Sequence, residues 1–185
     1  MDENQKWLKV IPQNIGPYLA GFADGEGSFN VSLRKRDDHT LGWQVVAMFN
    51  ISQRDKTVLT LFKRHLGCGK LWQRKDGVWY YVVLNPTSIK ERVVPFFVRF
   101  SFLSATKKTN FSIFREIVSM MATNGHLTQE GMKKIVLLRE ELNKGKGRKR
   151  KYTIDHYNNS LAENPQRLYA KAQPREKRLE KLGKI

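Results

Sequence analysis

From Ser28 onward polar and apolar side chains alternate: Phe29, Val31 and Leu33 fall on one face, and Ser28, Asn30, Ser32, Arg34 and Arg36 on the other. A period of two marks a half-buried strand. The pattern resumes over residues 43–53, where Trp43, Val45, Ala47, Phe49 and Ile51 continue the apolar face and Gln44, Asn50 and Ser52 lie opposite. The stretch RDDHTLG between the two runs predicts an antiparallel connection. A second pair of β-rich runs, KLWQRKDGVWYYVVL at 70–84, is broken by Asp-Gly and predicts a hairpin.

Elsewhere the apolar spacing approaches four. NIGPYLAGFA, with Asn14 as a cap and Pro17 near the first turn, predicts a helix that ends at the glycines after it. DKTVLTLFKRHLG has Asp55 as a cap, apolar residues at 58, 59, 61, 62 and 66, and a closing Gly67. SIKERVV at 88–94 and TKKTNFSIFREIVSMM at 106–121 read as helices, and Pro95 is expected to break or start an element. LTQEGMKKIVLLREEL at 127–142 opens with Thr128 as a cap and carries one apolar stripe. The order helix, two strands, helix, two strands, helices predicts an α+β fold, an antiparallel sheet covered on one face by helices.

Composition adds a partner. With 185 residues and 40% hydrophobic content the chain can bury a core of one domain. Its 34 Lys and Arg against 17 Asp and Glu, a net charge of +17, point to a polyanion, with nucleic acid the favoured one. Residues 144–185 hold 13 of the basic and 4 of the acidic residues, so the compact domain is expected over 1–143 and a basic extension over 144–185. Its entry, KGKGRKRK, reads as a strap in which Arg148, Lys149, Arg150 and Lys151 contact phosphates. Short helices are expected around Tyr157–Leu161 and Arg175–Leu182. No apolar run approaches the ~20 residues of a membrane span, so no membrane partner is expected. MDENQKWLKV lacks the apolar core of a secretory signal, which points to an intracellular protein. The single cysteine, Cys68, excludes an internal disulfide, and the scattered His39, His65, His126 and His156 give little support to a zinc site.

The candidate chemistry lies in YLAGFADGEGSF, residues 18–29. Neither spacing of a phosphate-binding glycine loop occurs there. Gly21 and Gly25, four apart, share a helix face that a second backbone can approach closely, either within the chain or from outside it. Asp24 and Glu26 stand at the helix carboxy end, where the helix dipole disfavours negative charge. A divalent cation would compensate them, and so would bonds from Asp24 to nearby backbone with Glu26 solvated; the residues alone leave both open.

Leu19-Ala20-Gly21-Phe22-Ala23-Asp24-Gly25-Glu26-Gly27 resembles the LAGLIDADG motif of homing endonucleases, with Glu26 at the second acidic position. The resemblance extends over roughly residues 14–143. It implies an αββαββα fold whose saddle-shaped antiparallel sheet sits over the DNA major groove. It further implies that Glu26 is a catalytic metal ligand, for Mg2+ or another divalent cation such as Mn2+ or Ca2+. Asp24 would stabilise the helix end, and Tyr18, Gly21, Phe22, Asp24 and Gly25 would form the contact between two motif helices. Gln53 corresponds to a polar residue that organises metal-bound water, and Lys107, or Lys108 in its place, to the basic residue near the scissile phosphate. Ser28, Asn30, Ser32, Arg34, Arg36, Gln44, Asn50, Lys70, Trp72 and Arg74 become groove-facing residues, Arg and Lys suiting guanine and Asn and Gln suiting adenine.

Only one copy of the motif is present, so a second must come from another chain. A homodimer on a pseudo-palindromic target follows. The expected function is site-specific hydrolysis of double-stranded DNA with short 3′ overhangs by an intron-encoded enzyme, in a prokaryotic cytoplasm, a chloroplast or a mitochondrion. The alternatives on the same fold are a maturase bound to intron RNA and a DNA-binding regulator that does not cleave.

Overall fold

The computed structural model describes residues 5–39, 41–144 and 150–163. A short helix, α1 (Lys6–Lys9), precedes the motif helix α2 (Ile15–Glu26), which passes directly into strand β1 (Gly27–Lys35). Strand β2 (Trp43–Gln53), helix α3 (Thr57–Leu66) and the hairpin β3 (Lys70–Gln73) and β4 (Trp79–Val83) follow. The sheet is antiparallel with order β1-β2-β4-β3.

Alternation drives this layer. β1 and β2 bury every odd residue from Gly27 to Leu33 and from Trp43 to Ile51. Phe29 pairs with Phe49 across the two strands, and its ring also packs on Phe97, Phe102, Phe111 and Phe114 with centroids 4.9–5.7 Å apart. Aromatic pairs at such separations add attraction beyond simple area burial. Asp55 accepts from the Thr57 amide and hydroxyl at the start of α3, and Gly67 closes that helix in the left-handed region at φ 65°. The Asp-Gly turn forms as expected, with Gly77 at φ 81° and the Asp76 carboxylate accepting from the Val78 amide.

Three details differ from the sequence reading. Asn14 makes no side-chain cap; the amides of Ile15 and Gly16 instead bond to the Pro12 carbonyl. Pro95 does not interrupt the chain's helical course from α4 (Pro86–Ser88) through a π turn (Ile89–Val93) to α5 (Val94–Arg99). The Val94 amide reaches back five residues to the Ile89 carbonyl, and this wide turn accommodates a ring that would crowd a regular helix.

Helix α6 (Ala105–Ala122) is capped by Ser104, and α7 (Gln129–Glu141) by Thr128, whose hydroxyl accepts from the Gly131 amide at 3.1 Å. Packing also continues past Asn143, which is the third difference. Helix α8 (Ile154–Glu163) lays a fully buried Tyr157 into the core, Trp43 Nε1 donates to Ser160 Oγ at 2.8 Å, and Tyr152 stands edge-on to Trp43. Burial pushes the Tyr157 hydroxyl up to about 12. The helix expected at 175–182 lies outside the described residues. No helix among the described residues is long and apolar enough to cross a membrane.

Candidate active site and nucleic-acid interface

The site begins where α2 turns into β1 with no loop between them. The Gly27 amide still bonds to the Ala23 carbonyl, while Gly27 itself is already extended at φ −75°, ψ 150°. A Cβ at this position would lie 2.7 Å from the Ala23 oxygen, so only glycine permits the immediate change of direction.

The two acidic residues of the junction have separate roles. Asp24 accepts from the amides of Leu103 and Ser104 at 3.0 and 2.9 Å and from the Ser104 hydroxyl. A carboxylate that disfavours its own helix end thus serves the amino end of α6, where negative charge is favoured. Partial burial pushes its pKa up, but the Ser104 and Leu103 hydrogen bonds and the Lys107 charge outweigh that and hold it below the usual value. Glu26 is exposed, and its carboxylate has no hydrogen-bonding partner among the described residues.

Ser104 connects the junction to the expected base. Its hydroxyl accepts from the Lys107 amide at 3.3 Å, and Lys107 Nζ donates to the Gly27 carbonyl at 2.5 Å. Lys107 is therefore at the residue next to Glu26, whereas Lys108 is exposed on the following step of the helix. Because Gly27 pairs with Ile51, Gln53 stands at the same end of the sheet, half-buried, with Oε1 accepting from the Arg54 amide. Glu26, Lys107 and Gln53 thus come together from three elements. Among the described residues no three acidic, His or Cys side chains converge. The donor set that one chain brings to this end is therefore a single open carboxylate.

The open face of α2 answers the question of the glycines. A Cβ on Gly21 or Gly25 would meet nothing within 4 Å. Internal packing does not require their smallness. Tyr18, 50% exposed, stands on the same helix with its ring 6.5 Å from half-buried Phe22.

Beside the junction, the polar face of the sheet is partly preorganised. Asn30 Nδ2 donates to Ser28 Oγ at 2.9 Å and to Asn50 Oδ1 at 2.8 Å, which orients all three side chains. Ser32 and Arg34 are exposed, and Gln44 lies opposite Arg34. On the hairpin Lys70 is exposed, Trp72 stacks on Tyr80 at 6.0 Å, and Arg74 lies over the same ring while donating to its hydroxyl. Arg74 is also paired with Asp76 at 2.9 Å.

Two expected contacts are placed otherwise. Arg36 lies beyond the end of β1 in a bidentate pair with Asp38, both bonds 2.8 Å, so its charge is balanced within its own turn. The Arg36 guanidinium holds the Asp38 carboxyl well below the ordinary range. Arg150 is not part of a solvated strap: its guanidinium donates to the carbonyls of Arg139 and Leu142 and approaches Glu140 at 3.5 Å. It caps the carboxy end of α7, the end that favours a cation. Lys151 is exposed, with its ammonium over the Tyr152 ring, and Arg148 and Lys149 lie outside the described residues.

Ser104 was not anticipated. Serine before a helical run is a readable cap signal, but its partner Asp24 is 80 residues away and leaves no local trace. Arg139 was equally hidden. It is 5% exposed, and burial, then the charge of Arg150, lower its pKa against the opposing effect of Glu140.

The family model for LAGLIDADG endonucleases matches residues 19–118, which span the motif helix, the whole sheet and most of α6. The chain belongs to the LAGLIDADG endonuclease family. Among curated relatives it is 32% identical over 143 residues to the probable intron-encoded endonuclease 2 of Neurospora crassa, covering 75% of this chain and 30% of that protein. It is 33% identical over 103 residues to homing endonuclease I-ApeII of Aeropyrum pernix, covering 55% of this chain and 60% of that protein. The chain therefore spans only part of the length of these relatives. Among solved structures, the archaeal intron-encoded homing endonuclease I-Vdi141I complexed with DNA superposes with a TM-score of 0.74 at 30% identity, over 80% of this chain and 94% of that one. This LAGLIDADG chain also resembles the homing endonuclease I-TnaI, with a TM-score of 0.68 at 31% identity.

Proposed function

We propose that this LAGLIDADG chain is a site-specific double-strand DNA endonuclease that works as a homodimer with a divalent cation. The observation that carries the reading is the junction of α2 and β1, where the open Glu26 carboxylate, the Lys107 ammonium and the open glycine face of α2 adjoin the polar sheet face. The relatives named intron-encoded and homing endonucleases, one of them solved with DNA, support the same reading.

An exposed carboxylate oxygen suits a hard cation such as Mg2+, and a bound cation would supply a Lewis acid that lowers the pKa of water. One carboxylate per chain is too few for a strand-cutting site on each side of a duplex. A second copy, apposed through Gly21 and Gly25, brings its own Glu26. In this arrangement Lys107 stabilises negative charge that develops on the phosphate, and Gln53 orients water at the same end of the sheet. Asn30, Ser32, Arg34, Gln44, Asn50, Lys70, Trp72 and Arg74 face the groove, where bidentate donors and acceptors distinguish base pairs. Lys107 rather than Lys108 takes the phosphate role, because its ammonium is at the junction.

The test is selection from a library of randomised duplexes. The expected result is cleavage of one related set of pseudo-palindromic sequences with Mg2+, none with chelator, and two chains per bound duplex by sedimentation. Binding without cleavage in every divalent cation would overturn the catalytic reading. So would cleavage unaffected by Glu26→Gln.

A further inference from the structure

Strand β1 is an edge strand, paired on one side only, with β2. An edge strand presents a row of unpaired backbone groups that proteins must cover. Here three alternate carbonyls on that outer edge, those of Gly27, Phe29 and Val31, each accept from a side chain of the helical layer. Lys107 Nζ reaches Gly27 at 2.5 Å, Asn143 Nδ2 reaches Phe29 at 2.8 Å, and Arg139 Nε reaches Val31 at 2.9 Å. The side-chain ladder takes the place of a neighbouring strand.

Two of its rungs tie β1 to distant chain. The Asn143 amide donates to Asn110 Oδ1 on α6 at 2.8 Å, and Arg139 also donates to the Tyr152 carbonyl at 2.8 Å. Between these rungs stand the side chains that face the opposite way, Ser28, Asn30 and Ser32. The edge strand at the other side of the sheet, β3, is held by β4 and by its own turn, where Gln73 Nε2 donates to the Gly77 carbonyl.

We propose that Asn143 and Arg139 are positioning residues for base reading, setting the height and tilt of β1 over the helices and with them the placement of Asn30, Ser32 and Arg34. The inference rests on the DNA-reading role proposed above and goes beyond it. Specificity over the bases facing β1 depends on the end of α7 and on residues 150–152, which touch no base themselves.

Asn143 offers a clean test because its backbone lies in the left-handed region at φ 55°. Asn143→Gly keeps that conformation at no steric cost and keeps the amide bond to Asn110, while removing the rung to Phe29. Two measurements on the full chain decide the matter. Without DNA, hydrogen exchange of the β1 amides should accelerate several-fold relative to β4 while thermal unfolding stays cooperative. With the selected duplex, a panel of single mismatches is scored over the base pairs made sensitive by Asn30→Ala and over those made sensitive by Trp72→Ala. Discrimination, typically about tenfold or more per mismatch, should fall several-fold in the first set and hold in the second. An equal loss over both sets, or no loss in either, would overturn the proposal. A wild-type chain that selects no duplex would sink the endonuclease reading instead, and the exchange result would then decide the seating of β1 alone.

Discussion

Two junctions flank β1, and each uses a charged side chain to finish a helix. At the first, Asp24 serves the amino end of α6 and Lys107 holds the Gly27 carbonyl. At the second, Arg150 serves the carboxy end of α7 and Arg139 holds the Val31 carbonyl. The signs match the helix dipole in both cases. The difference is in what remains: at the second junction Arg139, Glu140 and Arg150 satisfy one another, while the first leaves Glu26 exposed and open. Charge that a fold has absorbed is architecture, and charge that it has left over is where chemistry with a ligand can occur.

The sharpest way to break this comparison is Glu26→Gln. Cleavage of the selected duplex should drop about 1,000-fold, in line with loss of a principal electrostatic group, with the thermal midpoint unchanged. A lowered midpoint would show that Glu26 also belongs to the architecture. Arg139→Ala should do the reverse. Removing one member of a buried ion pair costs about 3–5 kcal/mol, read as a shift in the urea midpoint, since the Val31 and Tyr152 carbonyls and Glu140 lose their donor.

Arg150→Ala follows at about 1–2 kcal/mol of stability, the scale of lost charged hydrogen bonds. The salt dependence of DNA affinity should not change with it. Arg34→Ala, by contrast, should reduce that slope by roughly 0.9 if Arg34 meets one phosphate. An equal change in slope for Arg150→Ala would place Arg150 on the DNA and dissolve the contrast. The smallest effect belongs to Asp24→Asn. A carboxyl with a depressed folded pKa stabilises the fold above its unfolded pKa of about 4, and this contribution is lost as pH falls through the folded value. The variant should lose no more than about 1 kcal/mol near neutral pH, given the solvent exposure of the site, and should match the wild type at the acid end of a pH-resolved melt.

The first junction was largely legible in the sequence and the second was not, for a physical reason. The strands 27–35 and 43–53 announce themselves because half-burial imposes a period of two, and that period also sorts Asn30, Arg34 and Asn50 onto the open face. The motif marks Glu26 and the glycines by type and spacing. The contacts of Arg139, Asn143 and Arg150 go to backbone carbonyls, which every residue has, so no pattern of residue types records them. A run such as KGKGRKRK reads as solvated from its charge, yet Arg150 at its end is turned inward by the unpaired carbonyls of α7. Asp24 and Ser104 show the same blindness at long range, since each looks ordinary without the other.

The absence of any loop between Glu26 and Gly27 has one more consequence. The residue that would cut and the strand that would read are consecutive pieces of backbone, joined by a turn only glycine allows, so together they act as a ruler of fixed length. Drift among target sites can then proceed by exchanging side chains along the ruler, letter by letter, while the distance from the cut to the first letter read stays constant.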